Sequence, residues 1–245
     1  MSRDLSPQDR AKRAAAEEAL TFIESGMKLG LGTGSTAAFF VKLLGQRVKE
    51  EGLKVIGVPT SIRTGELAEA CGIRLTTLND AGWLDVTVDG ADEFDDELRL
   101  IKGGGGALLQ EKIVASASDQ MIVVADASKK VRELGDFPLP VEVVPFGWQV
   151  TQALIAETLD DFDVGGNKIT LRLFKDEPFL TDEGNFILDL HLRRIGEPEE
   201  LAAALNLIPG VIETGLFINI ADVVVIGRED GTAEIIEYVE DEDDE

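Results

Sequence analysis

Between residues 88 and 112 the chain reads VDGADEFDDELRLIKGGGGALLQEK, and its acids, lysine and glycines could act together. DGADE, residues 89–93, sets Asp89, Asp92 and Glu93 just after an apolar run. One turn would bring Asp89 and Asp92 together, and paired carboxylates push one pKa upward, which suits proton transfer. Magnesium ligation and the capping of a turn compete for the same residues. Lys102 then precedes four glycines, with Glu111 further on. Glycine loses more chain freedom on folding than alanine, about 0.4–1 kcal/mol each and roughly 2–4 kcal/mol for the run. Such a run points to a ligand lying close against the backbone. With a helix starting near Gly106, Glu111 falls in its second turn, over the glycines. Lys102 is either a surface ion pair of little worth or, in a closed site, an electrophile for a developing oxyanion. Asp95, Asp96 and Glu97 read as solvated surface.

A second glycine-rich segment, GLGTGST at 30–36, joins a strand to a helix. Backbone N–H groups at a helix start attract anions, and Thr33, Ser35 and Thr36 add hydroxyl donors. The third glycine comes too early for the dinucleotide fingerprint, and no Gly-Lys-Ser/Thr closes a Walker A loop. A small phosphate site is the functional reading and a tight turn the plain one.

The composition narrows the chemistry. One histidine, His191, sits in the alternating run FILDLHLRRIG, where a structural role is the ordinary one. Catalytic triads and His-rich zinc sites would have to use that single residue, so carboxylates and lysines are left as the working groups. One cysteine, Cys71, gives no internal disulfide framework and fits a reducing cytoplasm. No apolar run is long enough for a membrane span, and the N-terminus lacks a signal-peptide core. Asp plus Glu total 47 against 23 Lys plus Arg, a net charge of −24. No basic patch is available for nucleic acid. The plain reading of the excess acid is a solvated surface; the sharper and preferred one is adaptation to high salt, where ions screen self-repulsion. The tail EYVEDEDDE, 237–245, carries no chemistry of its own.

These groups need a scaffold. Ser6-Pro7 caps a first helix, and strands (MKLGLG, KVIGV, IRLTTL, LDVTVDGAD, QMIVVAD) alternate with helices (STAAFFVKLLGQRV, SIRTGELAEAC, ALLQEKIVASA). That rhythm implies βαβ units and a parallel sheet, with ligands beyond the carboxyl ends of the strands. GLGTGST, VPTS, VDGAD and VADASK all fall there. Three prolines in LGDFPLPVEVVP then interrupt the chain, and an α-β-β-α-β run from WQVTQALIAETL to VIETGLFI implies an antiparallel α+β unit. ADVVVIG and AEIIEYV return to the first sheet. The expected fold is α/β: a Rossmann-like parallel-sheet domain, 1–136 and 215–245, with an inserted smaller α+β (ferredoxin-like) domain, 137–214.

Taken in order, GLGTGST, DGADE, KGGGGALLQEK, ADASK and IPGVIETGLF closely resemble ribose-5-phosphate isomerase, type A, from about residue 12 to residue 228. The resemblance implies metal-independent, cofactor-free interconversion of ribose 5-phosphate and ribulose 5-phosphate through an enediol(ate). It implies Glu111 as the catalytic glutamate, with Asp89, Asp92 and Lys102 beside Gly90, Ala91, Gly103, Gly104 and Gly105 at the sugar. The phosphate falls to Thr33, Gly34, Ser35 and Thr36, with Lys129 and, more weakly matched, Lys12. A homodimer or homotetramer with a sugar phosphate as its small-molecule partner is implied, and neither nucleic acid nor membrane. A sugar-phosphate sensor and a coenzyme A transferase using a glutamate nucleophile stand as alternatives. The departures are the acidic tail, the overall charge and VPTS.

Overall fold

Ser6 opens the first helix, its hydroxyl accepting the Asp9 N–H at 3.0 Å, with Pro7 in the first position, where a missing N–H costs nothing. The computed structural model describes residues 5–237, so the expectation for the acidic tail beyond Glu237 lies outside it. From α1 (Pro7–Ala19) the chain runs through β1 (Lys28–Leu31), α2 (Ser35–Glu50), β2 (Ile56–Pro59), α3 (Ile62–Ala70), β3 (Arg74–Leu75), α4 (Leu78–Ala81) and β4 (Val86–Gly90). A hairpin, β5 (Glu93–Phe94) and β6 (Leu100–Ile101), leads to the glycine run and α5 (Leu108–Ser116), then β7 (Met121–Asp126). Next come β8 (Leu139–Val143), α6 (Trp148–Leu159), β9 (Lys168–Leu171), β10 (Leu173–Phe174), β11 (Glu177–Pro178), β12 (Phe186–His191), α7 (Pro198–Asn206) and β13 (Val211–Thr214). β14 (Leu216–Phe217), β15 (Val223–Gly227) and β16 (Ala233–Glu237) complete the described chain.

Among the described residues the main sheet has seven strands in the order β16-β15-β7-β4-β1-β2-β3, all parallel except β16. Central β7 is buried along its whole length, which its sequence MIVVAD reflects. On one face α1 and α2 seal Leu29, Leu31, Phe40, Leu44, Val88 and Val124 into a core. On the other, Phe94, Leu100, Met121, Val123 and Phe217 form a second. The strand ends bring GLGTGST, VPTS, VDGAD and VADASK to one edge, as the motif positions predict.

The inserted sheet has the order β13-β8-β12-β9, antiparallel throughout, with α6 and α7 over Leu139, Val141, Leu188 and Leu190. Its sequence order is therefore β-α-β-β-α-β, one strand more than predicted. The missing strand is β8, hidden by Pro138, Pro140 and Pro145. Pro140 stands second in the strand, where its carbonyl accepts the Gly215 N–H at 2.7 Å. Proline is tolerated near a strand start because little of the ladder is lost there. VIETGLFI, predicted as one strand, breaks at Gly215: β13 joins the inserted sheet, whereas β14 pairs with β6 in a small sheet of order β14-β6-β5. IRLTTL yields only the two residues of β3.

Candidate active site

The carboxyl edge of the main sheet opens on a polar cleft of ≈ 140 Å³. It is lined by Thr33, Gly34, Ser35, Thr36, Gly90, Ala91, Asp92, Lys102, Gly103, Gly104, Gly105, Glu111, Lys12 and Lys129, together with Gln8. Of the residues that the family resemblance assigns to the site, only Asp89 is absent from the wall, and its carboxylate meets Lys102 of the wall at 3.0 Å. Gln8 was missed; it precedes Lys12 by one helical turn on α1, and that spacing places both on one face.

At the inner end Lys102, Asp89 and Glu111 are all buried. Lys102 Nζ lies 3.0 Å from Asp89 Oδ2 and 3.4 Å from Glu111 Oε2, and donates to the Gly90 carbonyl. Its ammonium thus stands between the two carboxylates. Asp89 is the next-to-last residue of β4, and its Oδ1 accepts the N–H groups of Thr33 at 3.0 Å and Gly90 at 2.7 Å. Burial pushes the Asp89 pKa up, opposed by Lys102 and those two N–H groups. Burial pushes Glu111 up to about 8, with the charge of Asp89 adding to the rise and Lys102 resisting it. Burial lowers the Lys102 pKa, but Asp89 and Glu111 outweigh it and hold the amine above its ordinary value. Two carboxylates share one cation, and burial holds both above the ordinary carboxylate range, Asp89 with two backbone N–H donors in support and Glu111 with none.

Asp92 does not pair with Asp89; it accepts the Gly104 N–H at 2.7 Å. Glu93 turns away to accept the N–H groups of Gly135 and Phe137, so the last acid of DGADE braces the loop before β8. Glu111 is the fourth residue of α5, in its first turn rather than its second, because the helix starts at Leu108. Asp95 also departs from expectation: it is buried and holds Arg99 in an ion pair at 2.6 Å, while Asp96 and Glu97 are exposed.

The glycine run divides by purpose. A Cβ on Gly103 or Gly106 would strike Leu108 or Phe179, and one on Gly104 would reach 2.6 Å from Asp92. A Cβ on Gly105 would meet nothing closer than 3.5 Å, so packing does not demand glycine there, and the space opens into the cleft.

At the outer end α2 begins at Ser35 beside Lys12, Lys129 and Gln8. Thr33 contributes differently than predicted. Its hydroxyl is buried at 2.8 Å from Thr60 and Ser61 and 3.0 Å from Thr64, so VPTS buttresses the loop from behind. His191 lies away from the cleft, its Nε2 2.9 Å from Thr170 Oγ1 on the inserted sheet.

A Rossmann-like sheet carrying a buried carboxylate–lysine cluster at one end of a cleft and an anion-suited helix start at the other defines an α/β enzyme class. The family model of ribose 5-phosphate isomerase A (phosphoriboisomerase A) matches residues 56–231, and the chain belongs to that family. The ribose-5-phosphate isomerase A of Ruegeria sp. strain TM1040 is 64% identical over 235 residues, covering 96% of this chain and 90% of its own length. That of Cereibacter sphaeroides strain ATCC 17023 is 65% identical over 231 residues, 94% of this chain and 88% of its own. Among solved structures, ribose 5-phosphate isomerase A from Methanocaldococcus jannaschii matches with a TM-score of 0.86 at 41% identity, covering 95% of this chain and all of that one. A D-ribose-5-phosphate isomerase in complex with phospho-erythronic acid matches with a TM-score of 0.87 at 43% identity, with coverage of 95% and 100%.

Proposed function

We propose that this chain interconverts D-ribose 5-phosphate and D-ribulose 5-phosphate, in the non-oxidative pentose phosphate pathway, by metal-independent proton transfer through an enediol(ate). One observation carries the reading: Glu111, raised to about 8, meets Lys102 at the inner end of a cleft whose outer end holds Lys12, Lys129 and the start of α2. Glu111 removes the proton from carbon 2 of the open-chain aldose and returns it to carbon 1. The electrons pass from the broken C–H bond into the enediolate, whose negative oxygen is met by Lys102 and glycine N–H groups. Asp89 and Asp92 handle hydroxyl protons and ring opening. Thr33 to Thr36, Lys12 and Lys129 hold the phosphate, so that binding energy at the far end positions the reacting carbons. Gly90, Ala91 and Gly103 to Gly105 let the sugar lie against the backbone. Phospho-erythronic acid, bound by the related isomerase, pairs a phosphate with a planar carboxylate, the shape and charge of an enediolate.

The reading extends to the whole molecule. The chain divides into a Rossmann-like part, 1–136 and 215–245, and an inserted part, 137–214, supported by β13 ending at Thr214 in one sheet and β14 starting at Leu216 in another. It works in the cytoplasm as a homodimer or homotetramer, and its acidic surface suits high salt.

The test is proton NMR of ribose 5-phosphate with the protein in heavy water, molar potassium chloride and excess chelator. Ribulose 5-phosphate carrying solvent deuterium at carbon 1 is expected, since a carboxylate base exchanges its proton between steps. Folded protein giving no product would overturn the reading in favour of a sensor, or of a transferase if a coenzyme A thioester forms on a carboxylate.

A further inference from the structure

Arg172 lies between β9 and β10 in the inserted unit, outside the cleft wall. Both oxygens of Asp189 grip its guanidinium, through Nε at 2.9 Å and through Nη2. Nη1 is thereby aimed at the glycine run and donates to the carbonyls of Gly103 at 2.7 Å and Gly104 at 3.3 Å. The two side chains are largely enclosed, 16% and 18% exposed. In a trans peptide the N–H points opposite to the carbonyl of the same plane. A Gly103 carbonyl held towards Arg172 therefore sends the Gly104 N–H the other way, where it meets Asp92. The same geometry turns the Gly105 N–H away from Arg172. That N–H finds no acceptor among the described residues, and Gly105 lines the cleft.

We propose that Arg172, clamped by Asp189, is a positioning residue for the isomerisation, on the functional reading given above. It fixes two successive peptide planes, docking Asp92 on the Gly104 N–H and aiming the Gly105 N–H at the enediolate oxygen. It touches no substrate atom. A cation on the carbonyl side also polarises each peptide, which strengthens donation from the N–H opposite. Lysine cannot substitute, because a point charge does not grip Asp189 with two donors while reaching two carbonyls.

Steady-state kinetics on ribose 5-phosphate with Arg172→Lys, Arg172→Ala and Asp189→Asn test this, beside the Kd of inorganic phosphate. The expected result is a kcat lower by about 10–100-fold, the scale of a small misplacement of reacting groups. KM and phosphate affinity stay at the parent values, and added methylguanidinium restores turnover to Arg172→Ala. A side chain that merely supports the fold would weaken phosphate binding as well and give no rescue. Parent kcat in Arg172→Lys would overturn the proposal, as would a loss of kcat that tracks lost phosphate binding. Should Arg172→Ala not fold, Arg172→Lys, which keeps length and charge, carries the kcat test. An inactive parent sinks the functional reading and this inference with it; an active parent with unaffected variants sinks only the positioning role.

Discussion

Glu111 and Lys112 are neighbours on α5, both buried away from bulk water, yet they live in opposite electrostatic surroundings. Lys112 points to the inserted sheet, where Nζ meets Glu213 Oε1 and the Thr214 carbonyl, each at 2.7 Å, with the Phe217 ring 4.8 Å away. One cation meets one anion there, and a second donor goes to the Thr214 carbonyl. Burial draws the Lys112 pKa down, with Glu213 opposing, and nothing further is strained. Glu111 instead competes with Asp89 for Lys102, whose ammonium lies 3.0 Å from Asp89 Oδ2 and 3.4 Å from Glu111 Oε2. Pairing one-to-one makes a brace. Withholding one positive charge leaves a carboxyl raised to about 8, which suits the shuttling base proposed for Glu111.

The largest effect that sharpens this contrast is Glu111→Gln, which removes the proposed base while keeping its shape. Ribose 5-phosphate turnover should fall about 10²–10⁴-fold, the contribution of a positioned base. Phosphate binding should persist, as isothermal titration would record. Lys102→Met should cost about 10²–10³-fold in kcat, the worth of one oxyanion donor. Equal kcat in either variant and the parent would break the contrast.

A glycine that packing does not require offers the next test. Gly105→Ala should leave the melting temperature near that of the parent, since the new methyl meets nothing closer than 3.5 Å in the protein. Turnover should nonetheless drop about 10–100-fold through displacement of the sugar. A variant that loses stability in proportion would return Gly105 to a structural role.

The pH dependence follows from the raised pKa. The base works ionised, so kcat/KM should climb with pH and level off above about 8. For stability the sign is reversed. Glu111 binds its proton more tightly folded, at about 8, than unfolded, near 4.5, so its contribution is intact below 4.5 and is lost as pH rises to about 8. Glu111→Gln escapes that loss, and its melting temperature should gain on the parent across the same window. The mildest catalytic effect belongs to Lys112→Met. It should leave kcat unchanged but cost about 1–3 kcal/mol in denaturant unfolding, because Glu213 is stranded half-buried.

The cleft was readable because each motif carries its chemistry within a few residues and ends a strand of one parallel sheet. Features held by distant partners were not. Asp95 is the local exception: it folds back on the Arg99 side chain and the Glu97 and Arg99 N–H groups, a turn that its charged neighbours disguised as solvated surface. The two-residue strands β5, β6 and β14 exist only because each finds a partner, the last more than a hundred residues away. β8 was masked by a proline whose harmlessness depends on its place in the ladder. Arg172 reaches the glycine run across 69 residues and meets only backbone oxygens there, which leaves no mark in sequence spacing.

Gly215 joins these regions at a single point. Its N–H is held by the Pro140 carbonyl of the inserted sheet at 2.7 Å, and its own carbonyl holds the Lys102 N–H at 2.8 Å. The approach is so tight that a Cβ at 215 would sit 2.3 Å from the Lys102 carbonyl oxygen. The linkage acts like a gear tooth between the two sheets: any swing of the inserted unit either drags Lys102 with it or shears both hydrogen bonds.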